Sequence, residues 1–312
     1  MAKRCAKSLA TTTKREQASA SRAAWPSTDP PVADHTTIPF GARFWRLWRP
    51  VWRLRHKANG FLFPALLLFW VLLLISPYIV INRIAAWAEH TPVQEESIPP
   101  EEKLKVSRQD QRTAWDPKSL FCDSKGQFLD YKIPAIDWTI WFYLSLFGYY
   151  CAFFAAQKND RGRAESLVMA QAWVVSSWIA YPIFALLPAD IDLRWQLNIE
   201  QMTPLYQFLF KAFHTRDEPF NAWPCLHIAQ SFVMASALAR WWLQRNWTVA
   251  VWLLWPAWLG LCVSVMTTKQ HFIWDTITGT LLGIGVWAWL MRPGYRHLDA
   301  VTDDALPLAK LG

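Results

Sequence analysis

Residues 60–82 (GFLFPALLLFWVLLLISPYIVIN) contain no charged side chain. About 20 apolar residues, rising 1.5 Å each, cover the hydrocarbon core of a bilayer, so this stretch predicts a membrane-crossing helix. Five more segments have the same character: about 138–156, 167–188, 227–244, 248–267 and 271–291. The chain therefore reads as an all-α polytopic membrane protein with six transmembrane helices. With 53% hydrophobic residues, 22 Trp and only 11 Gly, the composition excludes both a disordered chain and a fibrous repeat.

Charge is unevenly placed. Residues 1–59 hold twelve Lys/Arg against Glu16, Asp29 and Asp34, so the net +8 of the chain is an N-terminal property. A basic segment abutting an apolar one points to a membrane face rather than to nucleic acid. Residues 1–39 read as a disordered basic tail. Residues 40–59 read as an interfacial amphipathic segment, in which 40–57 (FGARFWRLWRPVWRLRHK) would lie in the membrane plane, rings at headgroup level and cations on anionic lipid. Lys158, Arg161, Arg163, Arg240, Arg245, Arg292 and Arg296 fall on the same side as the N-terminus if six spans alternate, which predicts cytoplasmic termini and a cytoplasmic tail over 293–312. Residues 1–24 lack an apolar core, so no cleavable signal is read there. The loop 91–135, of mixed charge, reads as solvated.

The five cysteines (Cys5, Cys122, Cys151, Cys225, Cys262) show neither CxxC nor zinc-finger spacing, which argues against a disulfide framework or a structural metal. Polar residues instead gather at three places: Tyr181 to Arg194, Phe220 to His227, and Thr267 to Asp275. Under six spans all three lie on the non-cytoplasmic face. Polar groups at a span mouth are costly and ask for a reason. His271 and Asp275, four positions apart, share a helix face. The carboxylate would hold one imidazole nitrogen and leave the other as an outward lone pair, as a nucleophile or base requires. The same spacing also serves a plain interfacial hydrogen bond. His227, after Pro224, sets a second imidazole at a helix mouth, where one ring attacks phosphorus and the other protonates a departing oxygen. Lys269 adds positive potential for an anion. Metal ligation by His227, His271 and Asp275 is the other possibility, opposed by the Lys269 ammonium; no metal or cofactor is expected.

Pro224-Cys225-Leu226-His227 resembles the Pro-Ser-x-His motif of the type 2 phosphatidic acid phosphatase superfamily. Ser264 to Asp275 (SVMTTKQHFIWD) resembles its Ser-Arg-x5-His-x3-Asp motif. The Thr-Lys-Gln-His form is most similar to the branch containing inositol phosphorylceramide synthases and related bacterial membrane enzymes. The resemblance covers about 135–292, within a membrane domain of 60–292, and implies a helical, metal-independent phosphatase or phosphotransferase core. Residue by residue, it implies His271 as a nucleophile forming a phosphohistidine, Asp275 as its orienter and His227 as the acid. Lys269, Arg194 and the Cys225 backbone amide would then hold substrate phosphate. Val265 stands where the family has Arg, Cys225 where it has Ser, and the Lys-x6-Arg-Pro motif is absent. The expectation is a lipid phosphatase or phosphotransferase acting on a lipid phosphate, its site on the outer face of a bacterial inner membrane. The alternative is a silent lipid-binding or transport protein of the same fold.

Overall fold

The structure is a computed structural model. It describes residues 38–55, 61–88, 121, 123–124, 128–187, 191, 193–214 and 222–301. Among these residues there are helices and loops but no β-strand. The α-helices are α1 (Arg49–Arg53), α2 (Leu62–Ile75), α3 (Pro77–Ala88), α4 (Ile140–Tyr150), α5 (Asp160–Leu186), α6 (Pro204–His214), α7 (Leu226–Gln244), α8 (Thr248–Thr267), α9 (Ile273–Val286) and α10 (Arg292–Ala300). Most of the expected tail over 1–39, most of the loop 91–135, Phe220, Asn221 and residues 302–312 lie outside the described residues.

Among the described residues, four helical stretches are long and apolar enough to cross a membrane: Leu62–Ile84, Asp137–Ala155, Asp160–Leu186 and Thr248–Thr267. Two expected spans stand outside that set for physical reasons. Helix α7 is the central helix, packed against α9, α8, α5 and α4; its inward face carries Gln230 and Ser231 beside alanines, so its apolarity is modest. Helix α9 carries Asp275 and three glycines and passes into a π-turn at Trp287–Met291.

The first span is bent. Pro77 has no N–H to give, so the Leu73 carbonyl accepts instead from the Ser76 amide at 3.3 Å and the Ser76 hydroxyl at 2.8 Å. The next two carbonyls accept from α5: Leu74 from Trp178 Nε1 at 3.2 Å, and Ile75 from the Tyr181 hydroxyl at 2.5 Å. Tyr181, grouped by sequence with the polar mouth, serves this bend.

Helix α5 starts at Asp160, ahead of the apolar run from 167, because Asn159 caps it: its Oδ1 accepts from the Gly162 amide at 2.8 Å. At that end Glu165, 1% exposed, accepts from Arg240 at 2.8 Å and from Trp241 Nε1 at 2.7 Å, while Arg240 also meets Asp299 at 2.6 Å. Arg240 is thus an inter-helix partner tying α5, α7 and α10. The tail read over 293–312 begins as helix: Tyr295 and Leu298 are buried, and Arg161 donates to the Val301 carbonyl at 2.8 Å.

Of the segment read over 40–59, residues 40–55 are described. Arg43, Arg46 and Arg53 are exposed, but Trp48 and Trp52 are buried in protein. Buried Gln171 of α5 explains the inward turn of Trp48. Its Oε1 accepts from the Trp45 amide at 3.2 Å and Trp48 Nε1 at 3.1 Å, and its Nε2 donates to the Gly41 carbonyl at 3.1 Å. A tryptophan offered both a dry cavity and a partner for its N–H leaves the interface.

Candidate active site

Two helix starts and one helix end meet at a single rim. Helix α8 ends at Thr267 with a Schellman turn: the Gln270 amide donates to the Val265 carbonyl at 3.0 Å and the Lys269 amide to Met266 at 3.2 Å. Lys269 occupies the left-handed position of that turn, φ 60°, which a glycine fills without strain. The turn brings the His271 amide onto Val265 as well, at 3.0 Å, and the chain re-enters the bundle as α9. Asp275, fully buried in the first turn of α9, reaches back to the Phe272 amide at 2.9 Å.

Helix α9 lies close against the start of α7. The Cys225 amide donates to the Asp275 carbonyl at 3.2 Å, and a Cβ on Gly279 would stand 2.4 Å from the Cys225 carbonyl oxygen. Only glycine permits that approach. His227 is thereby carried to His271, with Nδ1 of the first 3.0 Å from Nε2 of the second. Nδ1 of His271 faces Asp275 Oδ2 at 3.4 Å, and Nε2 of His227 faces the Tyr143 hydroxyl at 3.1 Å. A consistent set of protons runs along this row. Tyr143 O–H donates to His227 Nε2, His227 Nδ1–H to His271 Nε2, and His271 Nδ1–H to the carboxylate. The lone pair of His271 Nε2 and the N–H of His227 thus aim at one point.

The other sequence-derived residues stand further out. Arg194 donates to Gln270 Oε1 at 3.2 Å, one residue from His271, and Gln270 Nε2 meets His214 Nε2 at 2.9 Å. Lys269, fully buried, directs its ammonium to the Ile133 carbonyl at 2.5 Å rather than to the imidazoles. The Cys225 amide, expected on phosphate, is taken by the Asp275 carbonyl, because the close α7–α9 contact places that oxygen on it.

Two participants escaped the sequence reading. Tyr143 sits in an apolar run with nothing to distinguish it. Asp130 belongs to the loop read as solvated, yet it is 1% exposed and accepts from the Ile273 amide at 2.7 Å, on the first turn of α9. Just beyond that loop the Ile136 amide donates to the Thr267 carbonyl at 3.0 Å, and Thr139 and Thr267 share a hydroxyl contact at 2.7 Å. Burial pushes the Asp130 carboxyl up to about 6, against the pull of the Ile273 amide. Burial lowers the Lys269 ammonium to about 8, opposed by the Asp130 charge. The alternation of buried acid and buried base pins the loop under the rim.

The ligand set weighed from sequence, His227, His271 and Asp275, does not converge, since Asp275 lies on the far nitrogen of His271. A different trio does: Cys225, His227 and His271 present ligand atoms all within 4.8 Å of one another.

No curated protein and no solved structure matches the chain. Residues 193–297, which hold Arg194, Cys225, His227, Lys269, His271 and Asp275, match the family model of the PAP2 superfamily. The segment that supplies both imidazoles is therefore similar to the type 2 phosphatidic acid phosphatase superfamily, and with four membrane-length apolar helices it supports an integral membrane protein of phosphatase type.

Proposed function

We propose that the chain is a six-span lipid phosphatase or phosphotransferase that works through a phosphohistidine on His271 without a metal. The observation that carries this reading is the meeting of His227 Nδ1 with His271 Nε2 at 3.0 Å, with a carboxylate on the other side of the His271 ring. Nε2 of His271 attacks phosphorus, the bond from phosphorus to the lipid oxygen breaks, and His227 Nδ1–H passes its proton to that oxygen. His227, now holding a lone pair at Nδ1, takes the proton of the second nucleophile as it attacks the phosphohistidine. Water yields inorganic phosphate; a lipid hydroxyl yields a new phosphoester. The Thr-Lys-Gln-His form favours the transferring branch, that of the inositol phosphorylceramide synthases.

A hydrogen bond of 3.0 Å leaves no room for phosphorus and its leaving oxygen between the rings, so substrate entry parts them. Tyr143 and Asp275 hold each ring from behind, so the parted rings keep their aim. The Asp275 charge stabilises the imidazolium-like state of His271 as the bond to phosphorus forms, and Arg194, on the neighbouring Gln270, supplies a cation for the substrate oxygens. A lipid phosphate suits a site at the rim of a bundle, because its tails stay in the bilayer while its head reaches the helix mouths.

The test is phosphate release from phosphatidic acid and from a polyprenyl diphosphate by purified protein in chelator. His271→Ala is expected to abolish it. Turnover retained in that variant removes the nucleophile assignment.

A further inference from the structure

Cys225, His227 and His271 were brought together above by the close packing of α7 on α9, and their chemistry is not exhausted by phosphoryl transfer. We propose that these three side chains form a site for a soft divalent cation of the zinc type, and that the bound ion competes with the phosphoryl group for Nε2 of His271. The binding half stands on geometry alone; the competition half rests on the phosphohistidine reading.

Zinc binds imidazole nitrogen at about 2.0–2.1 Å and thiolate at about 2.3 Å, so a tetrahedral site sets nitrogens about 3.3 Å apart and nitrogen from sulfur about 3.6 Å. Here the two nitrogens are 3.0 Å apart, the Cys225 sulfur is 3.9 Å from His227 Nδ1, and all three ligand atoms fit within 4.8 Å. The rings need to shift by only a few tenths of an ångström, while phosphorus asks for far more. Each imidazole is already oriented from its other nitrogen, His271 by Asp275 and His227 by Tyr143, whose hydroxyl oxygen accepts from Nε2–H in the metal-bound state, the His227 proton having moved there from Nδ1. That carboxylate–histidine pairing is the outer arrangement of metal-bound histidines, which raises ligand basicity and fixes the ring. A sulfur and two nitrogens select zinc-like ions over magnesium or calcium.

The objection raised by sequence falls away. The Lys269 ammonium, expected to repel a cation, points to the Ile133 carbonyl and is opposed by the Asp130 charge. Three protein ligands leave a fourth position for water, on the side of His227, the one ligand of the three that is not buried. Binding deprotonates the thiol: the sulfur–hydrogen bond is exchanged for a sulfur–metal bond and one proton leaves to solvent. Cys225 is what makes the site, because the serine hydroxyl found at this position in the Pro-Ser-x-His motif is a poor ligand for such an ion.

The experiment uses the full chain, purified in detergent and stripped with chelator. Cobalt(II) titrated anaerobically is expected to give a thiolate-to-cobalt charge-transfer band saturating at one equivalent, bleached by zinc. A variant with Cys5, Cys122 and Cys151 changed to serine should keep the band. Cys225→Ser, with an unchanged circular-dichroism spectrum, should lose it, and Asp275→Asn should weaken cobalt affinity by about 10–100-fold. A folded wild-type protein with no band, or a band that survives Cys225→Ser, overturns the site. In parallel, phosphate release is measured in chelator and in zinc. Zinc is expected to suppress turnover at least tenfold in the wild type and less in Cys225→Ser. Zinc-insensitive turnover overturns the competition while leaving the site. A band in a protein that turns over no lipid phosphate overturns the catalytic reading and leaves the metal site standing.

Discussion

Asp130 and Tyr143 act on the site through His227 and the first turn of α9, and each makes a prediction. Tyr143→Phe removes one hydrogen bond from His227, worth about 1 kcal/mol, so kcat should fall several-fold with KM little changed. A change confined to KM would show that the hydroxyl meets substrate instead. The Asp130 carboxyl ionises near 3.8 in an unfolded chain and near 6 in the folded one. Below 3.8 both states hold the proton and the folded state has its full stability. As pH rises to 6 the unfolded chain gives up its proton first, and stability falls by roughly 2–3 kcal/mol. Asp130→Asn keeps an acceptor for the Ile273 amide and should flatten that slope in melting temperatures measured from pH 4 to 7; the same slope in the variant would exonerate Asp130. These two residues were illegible in the sequence, because their contacts span 84 and 143 positions. The His271–Asp275 contact was legible from its spacing, but not as a shared helix face: His271 precedes the start of α9 at Ile273, and Asp275 reaches back to it from the first turn. The presence of Lys269 was legible but its direction was not, because a left-handed backbone at a lysine is set by the turn around it.

Among the helices, α8 was read from 248 to 267 and runs Thr248–Thr267, since an uninterrupted apolar stretch announces both of its ends. Helix α5 was read seven residues short, because its first turns carry charge and are held by an asparagine cap rather than by apolarity. The inward rotation of Trp48 depended on Gln171, 123 positions away, and amphipathic patterning alone cannot tell a protein groove from a lipid surface. The approach of α9 to α7 depends on Gly279. Gly279→Ala sets a methyl group against the Cys225 carbonyl and should cost about 1–3 kcal/mol by overpacking. It should also draw His271 away from His227, lowering turnover at least tenfold while α-helical content is unchanged. Wild-type melting and turnover together would show that the helices meet elsewhere.

At the scale of the whole molecule, four membrane-length apolar helices lie among the described residues, and the proposed six-span arrangement would add α7 and α9 through the bundle core. That topology sets Gln201 and Asn246 on opposite faces of the membrane. With Cys5, Cys122 and Cys151 changed to serine, an impermeant maleimide should label Gln201→Cys in intact cells and Asn246→Cys only after permeabilisation. The reverse pattern overturns the orientation, and labelling of both in intact cells overturns the six-span count. The bend at Ser76–Pro77 bears on how such a bundle is made. Two carbonyls of its first helix accept from donors 104 and 106 positions further along the chain. Lipid offers a carbonyl nothing, so the two helical halves of this span gain these donors only from α5, and the docking of α5 against them is what lets the interruption lie at membrane depth.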